Sequence, residues 1–158
     1  MKKLSRRQFV NSVAIASTGV WLAGVSGCAT ITKRGNTPEI EPGAYILENN
    51  KVRIALDKVP SLQKAGGAVK ILDSKLPEPI IVARTSDYGF SAVAIKCPHR
   101  GVEVEYDPSS SQFRCACIAH STFSLDGTYI KGPAKKPLKS YPARLGILDK
   151  NKLVINIS

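Results

Sequence analysis

The sequence predicts an all-β domain, and two observations support this class. Short runs of β-branched and aromatic residues alternate with clusters of Gly, Pro, Asn, Asp and Ser, a pattern typical of strands joined by turns. No segment keeps a helical periodicity, and residues 60–67 contain at most one short turn of helix. The sequence also shows no internal repeat, so we expect one sheet-based unit.

Each predicted strand follows from its own residues. Strands begin at Tyr45 and cover residues 52–56, 69–72, 80–84, 90–95, 102–106, 112–115, 144–148 and 152–157. A Ser-Asp-Tyr-Gly turn at residues 86–89 separates two of these runs, and residues 102–106 alternate with a period of two. Asp149, Lys150 and Asn151 join the last two runs, which predicts a closing hairpin.

The first 27 residues predict an export signal. Ser5-Arg6-Arg7-Gln8-Phe9 resembles a twin-arginine motif, and the weakly apolar run after it is shorter than the ~20 residues of a spanning helix. Val25-Ser26-Gly27-Cys28 resembles a bacterial lipobox, which implies cleavage before Cys28 and lipidation of its thiol. We therefore expect an exported lipoprotein, periplasmic or on the outer face of a membrane. The alternative is an uncleaved transmembrane anchor.

Residues 28–43 predict a lipid-anchored tether, and residues 44–158 a single domain. The chain has 23 basic and 12 acidic residues, and four of the basic residues belong to the predicted signal, which leaves 19. The lysines at positions 131, 135, 136 and 139 form either a solvated turn or a positive collar that attracts an acidic partner. Few aromatic residues and no arginine-rich helix argue against nucleic acid as a partner.

Both histidines of the chain lie beside cysteines. One pair is Cys97-Pro98-His99 and the other is Cys117-Ile118-Ala119-His120, and two thiolates with two imidazoles suffice to complete a metal site. A structural zinc site usually takes its cysteine pair first and its histidine pair second. Here each loop supplies one residue of each kind, which favours two adjacent metal atoms. Coincidence is the third interpretation.

The order of these ligands resembles the Rieske [2Fe–2S] motif, in which two cysteines hold one iron and two histidines the other. The C-P-H-R-G segment after an apolar run, Phe123-Ser124-Leu125-Asp126-Gly127, and Gly132-Pro133-Ala134 are also similar to that family. The resemblance implies a small antiparallel β-sandwich with a cluster-binding subdomain made of two ligand loops and a proline loop. It also implies one [2Fe–2S] cluster per chain, with Cys97 and Cys117 on the inner iron and His99 and His120 on the outer iron.

The chain departs from the family pattern at two points. Val102 and Ala119 occupy positions where high-potential members have a disulfide, and His120 is followed directly by serine, without the usual glycine. The family's serine hydroxyl donates to a cluster sulfur, so Ser121 is the expected equivalent and Thr122 the second choice. Gly132 and Pro133 are expected to cover the cluster. Cys115 is expected to be a small buried strand residue with no partner thiol near it.

The resemblance implies a relay of single electrons, coupled to proton uptake at His99 or His120, rather than a stand-alone enzyme. We expect a redox partner protein (a cytochrome or an oxidoreductase subunit), with quinol as a further candidate. The setting would be a quinol:cytochrome c reductase-like complex or a periplasmic oxidoreductase with this chain as its small subunit. A self-sufficient oxygenase needs more histidines than the chain has. The alternatives are the ferredoxin of an oxygenase system and a structural zinc-binding domain.

Overall fold

Antiparallel strands make up most of the regular structure of residues 35–158, the part of the chain that this computed structural model describes. The strands are β1 Tyr45–Glu48, β2 Lys51–Ala55, β3 Ala68–Ile71, β4 Ile80–Arg84, β5 Phe90–Ala94, β6 Val104–Asp107, β7 Gln112–Cys115, β8 Thr122–Phe123, β9 Tyr129–Lys131, β10 Ser140–Tyr141, β11 Ala143–Leu145 and β12 Lys152–Asn156. Two short 3-10 turns, Leu56–Lys58 and Pro60–Leu62, lie between β2 and β3. The predicted all-β class is confirmed.

The strands form three four-stranded sheets. The first has the order β1-β2-β12-β11, the second β10-β5-β4-β3 and the third β6-β7-β8-β9, and every pairing within them is antiparallel. The predicted closing hairpin is the β11–β12 pair, in which Ala143 lies opposite Ile155. Both cysteine–histidine pairs follow strands of the second and third sheets.

The second sheet is buried on both faces, which explains why the first four residues of β4, Ile-Ile-Val-Ala, are all apolar. Ile80 and Val82 point into a core shared with the first sheet, where Ile54 and Leu153 are also fully buried. The alternate residues of β4 and β5 point into a second core. A strand therefore supplies both cores because its successive side chains face opposite ways.

The second core joins the third sheet to the ligand loops. Its buried members include two aromatic residues, two thiols and two residues of the proline segment: Phe113, Phe123, Cys97, Cys115, Ala134 and Leu138. Phe113 lies opposite Phe123 in the β7–β8 pairing, so both rings share one face. This core fixes the ends of β5 and β7, from which the ligand loops leave.

Residues 35–43 are packed against the domain, although the sequence predicts a tether there. Lys70 donates its backbone N–H to Pro38 O at 2.9 Å and accepts from Ile40 N–H at 2.9 Å, and Ile40 is buried in the first core. Gly35 N–H donates to Glu103 Oε2 at 2.9 Å. Contacts with the domain therefore begin before residue 44. The sequence did not predict them because Ile40 stands alone among polar residues and gives no strand pattern.

One further prediction, the strand over residues 144–148, is partly wrong, and another, the export signal, concerns residues that the structure does not describe. β11 ends at Leu145, three residues before the predicted end, so Ile147 and Leu148 lie in the loop rather than in a strand. The predicted signal and Cys28 lie outside the described residues. In residues 35–158 no helix has the length and apolar character needed to cross a membrane.

Candidate functional site

The first ligand loop is a tight turn after β5. Cys97 N–H donates to Val102 O at 2.9 Å, and Gly101 N–H donates to Cys97 O at 2.8 Å. Gly101 has φ +70°, a left-handed conformation that glycine adopts without strain. The turn leaves the Cys97 side chain 1% exposed and His99 half-buried. The thiol therefore faces the core and the imidazole lies nearer the surface.

The second ligand loop closes between β7 and β8. Cys115 N–H donates to Ser121 O at 2.8 Å, and His120 N–H donates to Cys117 O at 3.1 Å. His120 has φ +43°, a left-handed conformation that is strained for a residue other than glycine. That strain coincides with the missing glycine after the second histidine. Cys117 is half-buried and His120 is exposed, so this loop repeats the arrangement of the first.

A backbone contact joins the two loops. Ala116 N–H donates to Glu103 O at 2.9 Å, which sets the second loop beside the first. Across the described residues, no group of three or more histidine, cysteine, aspartate or glutamate side chains surrounds a single point as the ligands of one ion do. The four predicted ligands lie instead as two Cys–His pairs on neighbouring loops.

The structure places a third thiol among the predicted ligands, which the sequence did not reveal. Cys115 is 1% exposed at the end of β7, as expected, but its side chain is within hydrogen-bonding reach of both Cys97 and Cys117. Burial, opposed by backbone contact with Cys117 and reinforced by the two neighbouring thiols, raises the pKa of Cys115 to about 12. These contacts favour the neutral form of the Cys115 thiol. The expectation that no thiol lies near it is wrong, because spacing along one strand says nothing about the adjacent loop.

Cys117 has the opposite tendency. Burial alone would raise the pKa of its thiol, but hydrogen bonds from the Cys115 side chain and from the backbone at His120, Ala119 and Ser121 hold that pKa below its ordinary value. Turn N–H groups directed at one sulfur favour the thiolate, which is the form that binds metals. Of the two thiols in this loop, Cys117 is the better thiolate donor.

The imidazoles provide the test of fit for a metal cluster. His99 Nδ1 is buried and has no hydrogen-bond partner, which is rare for a buried ring nitrogen and is relieved by a metal ligand bond. His120 Nδ1 lies 3.2 Å from Cys115 O, a contact that orients the ring on its loop. A buried Cys97, a half-buried Cys117, an exposed His120 and the orphaned nitrogen of half-buried His99 fit a two-iron cluster whose His120 side faces outward.

The proline loop, between β9 and β10, is fastened to the second ligand loop. Ala134 N–H donates to Ser121 Oγ at 3.1 Å, and Ser121 is fully buried. Gly132 has φ +107°, and a Cβ there would lie 2.5 Å from Ser121 Cα, so only glycine permits this approach. Thr122 lies in register with Arg114 and Lys131, is also buried, and its Oγ1 has no hydrogen-bond partner. The hydrogen bond to the proline loop is made by Ser121.

Charged and apolar groups surround the exposed side of the site. The four lysines of the predicted collar, Lys131, Lys135, Lys136 and Lys139, are all exposed, and Lys139 Nζ lies 5.1 Å from the centre of the Tyr141 ring. Ile118, between the two predicted ligands of the second loop, is 98% exposed. A groove of about 400 Å³ reaches His120 and is lined by Gly35, Asn36, Glu105, Tyr106, Asp107, Pro108, Arg114, Cys115 and Ala116. Neither Ile118 nor this groove was predicted from the sequence, because both depend on how the loops fold.

Comparison with known proteins identifies the family. Residues 55–142, more than half of the chain, match the model of the Rieske [2Fe-2S] domain. The chain belongs to the Rieske [2Fe–2S] family. It is a Rieske electron-transfer protein, and its domain binds one [2Fe–2S] cluster. The cofactor predicted from the sequence is confirmed.

Three relatives are cytochrome b6-f complex iron-sulfur subunits, which makes this Rieske protein a homologue of that class at low identity. The Nostoc protein (subunit 3) is 24% identical over 96% of this chain and 84% of its own length. The Chlorobaculum tepidum protein is 31% identical over 43% of this chain, and the chloroplastic protein of Bigelowiella natans 37% identical over 34%. The matches cover only 35% and 20% of the latter two proteins.

Comparison with solved structures gives two matches at low identity, of which the second shows the fold. The plasma-membrane Rieske protein PetC3 of Synechocystis PCC 6803 is 26% identical, with a TM-score of 0.43 over 49% of this chain and 76% of that one. The ferredoxin of carbazole 1,9a-dioxygenase from Nocardioides aromaticivorans IC177 has a TM-score of 0.52 at 18% identity, over 66% of this chain and 93% of the ferredoxin. The predicted Rieske-type antiparallel fold is confirmed.

Proposed function

We propose that this Rieske protein relays single electrons in a bacterial membrane-associated redox chain, with Cys97, His99, Cys117 and His120 as the ligands of its cluster. The observation that carries the assignment is the gradient of burial across the two loops. The Cys97 thiol is buried, whereas His120 is exposed and His99 has an orphaned ring nitrogen. The bound cluster would supply a one-electron couple beside two imidazoles that face a partner.

The chain's own residues would shape that couple. Backbone N–H groups directed at the Cys117 sulfur stabilise negative charge on it, and the Ser121 hydroxyl has a hydrogen left to donate because its oxygen accepts from Ala134. If electron uptake is coupled to proton uptake, the exposed ring of His120 is open to water, whereas His99 is half-buried. Gly132 and Pro133 would close the proline loop over the cluster.

As the electron-transfer partner we propose a quinol-oxidising cytochrome complex. All three curated relatives are subunits of the cytochrome b6-f complex, and the Nostoc match extends over most of both chains. The exposed Ile118 would supply an apolar contact beside His120, and Lys131, Lys135 and Lys136 would attract acidic groups of the partner. The oxygenase ferredoxin and a periplasmic oxidoreductase remain the competing settings, and only the fold supports the ferredoxin.

For location, we propose export by the twin-arginine route and attachment through lipid on Cys28. The support is the sequence of residues 5–28, and the homology to membrane-associated Rieske proteins agrees with it. Replacing Cys28 with alanine should abolish lipid labelling and release the protein from membranes. An intact, unlipidated N-terminus recovered from membranes would instead favour the transmembrane anchor.

The cluster assignment is tested on protein matured in its own host. Two irons and two acid-labile sulfides per chain, with a reduced-state EPR spectrum of low average g, are expected. Stoichiometric zinc without sulfide would contradict it. Replacing Cys115 with serine should leave the cluster assembled, because the C-x-x-H spacing assigns Cys117 as the ligand. Cluster loss in Cys115→Ser but not in Cys117→Ser would reverse the ligand assignment.

The partner is tested by stopped-flow oxidation and reduction of the loaded protein. Reduction by quinol in the presence of purified cytochrome b, at a rate above that with quinol alone, is the expected result. Faster exchange with a dioxygenase component than with the cytochrome complex would favour the ferredoxin role.

A further inference from the structure

The loop between β11 and β12, residues 146–151, presents two adjacent aliphatic side chains to solvent. Ile147 is 98% exposed and Leu148 is 101% exposed. The loop is a held turn: Gly146 N–H donates to Lys152 O at 2.7 Å, and Lys152 N–H donates to Asp149 O at 3.0 Å. Single exposed aliphatic residues are ordinary, but a fixed turn with two at its tip is a feature that a partner surface would explain.

The apolar tip continues into a groove of about 980 Å³ on the outer face of the first sheet. The register across the four strands sets Ile46 opposite Arg53, Arg53 opposite Val154, and Val154 opposite Arg144. Ile46 is 57% exposed. Apolar and basic side chains therefore alternate across this face, and no ligand loop belongs to the sheet.

The charges on this face are mostly positive. Four basic residues and one acidic residue line the groove: Arg53, Lys58, Arg144, Lys152 and Asp149. Lys152 Nζ pairs with Asp149 Oδ2 at 3.1 Å, and Arg53 pairs with Glu48 at 3.3 Å. Among residues 35–158, Arg144 and Lys58 have no acidic partner within 4.0 Å. The face thus has positive groups available for an anionic surface.

A neighbouring loop adds an aromatic residue at the same edge. Tyr88, in the turn between β4 and β5, is 74% exposed, and Lys150 Nζ lies 6.0 Å from the centre of its ring. Tyrosine and lysine beside exposed aliphatic residues are the combination found where proteins meet lipid headgroups, because each carries an apolar stem and a polar end.

We propose that this face docks on an anionic lipid bilayer, with Ile147 and Leu148 entering the boundary between headgroups and acyl chains. Arg144, Lys58 and Lys150 would lie against lipid phosphates. A bilayer fits better than a protein because the aliphatic pair projects from a turn with basic neighbours, whereas the centre of a protein interface is depleted of charge. Docking would leave the cluster loops available to a redox partner. This inference uses only the described residues and does not depend on the ligand assignment or the lipid on Cys28.

Site-specific fluorescence quenching tests the proposal in the full-length, cluster-loaded protein. Trp21, the one tryptophan of the chain, is replaced with phenylalanine, and Leu148→Trp then places the reporter at the loop tip. Ile130→Trp, on β9 of the third sheet, is the matched control at a partly exposed aliphatic position. Each protein is mixed with phosphatidylcholine vesicles, with or without phosphatidylglycerol. The ratio of emission in brominated and unbrominated lipid removes the cluster's own quenching.

Emission from Leu148→Trp should shift to shorter wavelength and be quenched by brominated chains, more strongly with phosphatidylglycerol, while Ile130→Trp is not quenched. Adding Arg144→Glu and Lys150→Glu should lower the docking equilibrium by about thirtyfold or more, since two basic groups that favour an anionic surface are lost and two repelled charges replace them. Quenching that is equal at both positions, or unchanged by phosphatidylglycerol and by charge reversal, would overturn the proposal. Protection of the Leu148→Trp reporter by a purified cytochrome complex but not by vesicles would overturn it in favour of a protein interface.

Discussion

The first core and the cluster-binding end are built in contrasting ways. The first core lies between strands of mostly four or five residues and consists of fully buried residues such as Ile54, Ile80 and Leu153. The cluster end relies on β8 with two residues, β9 with three and three loops. Apolar burial therefore stabilises the first region without help, whereas the second keeps polar groups buried for a cofactor. The first core thus contributes mainly to the stability of the fold, whereas the cluster-binding end contributes mainly to holding the cofactor.

The largest expected effect is complete loss of the cluster in His99→Ala. The chain has only two histidines, so no other imidazole can replace the missing ligand. Visible absorbance and the EPR signal should disappear, while far-UV circular dichroism keeps the β signal of the first two sheets. Ile118→Ala, in the second ligand loop but not a ligand, is the control and should retain the cluster. Collapse of the β signal in His99→Ala would show that the two regions fold only together.

The next largest effect concerns the ion pair between Lys70 and Glu103, which connects the first core to the cluster-binding end. Lys70 Nζ, on β3, lies 3.2 Å from Glu103 Oε2, which precedes β6, and both side chains are largely buried. Lys70→Ala leaves Glu103 buried without its cation and should lower the free energy of unfolding by about 3–5 kcal/mol. Denaturant titration measures this. Lys152→Ala removes an exposed pair and should cost less than about 1 kcal/mol. If both variants lower the free energy of unfolding by the same amount, the Lys70–Glu103 ion pair does not stabilise the contact between the two regions.

A smaller effect is expected from Gly132→Ala in the proline loop. Its positive φ disfavours any side chain, and the new Cβ would overlap Ser121. Strain of about 1–3 kcal/mol should displace the loop, shorten the lifetime of the cluster and lower the reduction potential as the Ser121 hydroxyl turns away. Gly43→Ala is the matched control, because it has φ +98° but no atom within 4 Å of the new Cβ. An unchanged potential in Gly132→Ala would mean that Ser121 does not act on the cluster.

The smallest effect is kinetic. If the exposed lysines of the proline loop attract an acidic partner, Lys135→Glu with Lys136→Glu should slow electron transfer at low salt and flatten its dependence on ionic strength, because exposed charges are screened by salt. The potential should change little. Lys51→Glu with Lys75→Glu makes the same change of charge on other parts of the surface. Identical electron-transfer rates for the two double variants would show that the loop lysines do not attract the partner and are only a solvated turn.

Local sequence patterns were sufficient to predict most strands and the cysteine–histidine motif. They were not sufficient to predict where a strand ends or which distant segments come into contact. Alternation predicted the strand over residues 102–106, which the structure has at Val104–Asp107, and residue type predicted the cluster. Sequence reasoning did not reveal that Cys115 lies against Cys97, because the contact joins a strand end to a loop from another sheet. The strand predicted over residues 144–148 also ended early. The Gly146 and Lys152 hydrogen bonds close the turn sooner than the apolar residues suggest. A contact between distant segments decided the first case, and hydrogen bonds within the hairpin decided the second.

The contacts of Gly35 and Asn36 with Glu103 and Glu105 set a limit on distance. These two residues also line the groove at His120, so the chain leaves the domain close to the histidine side of the cluster. With lipid on Cys28, only residues 28–34 would separate that point from the bilayer, and seven extended residues span at most about 25 Å. A carrier on so short a tether can still diffuse along the membrane, but it would exchange electrons only with partners whose redox sites lie within a few nanometres of the membrane surface.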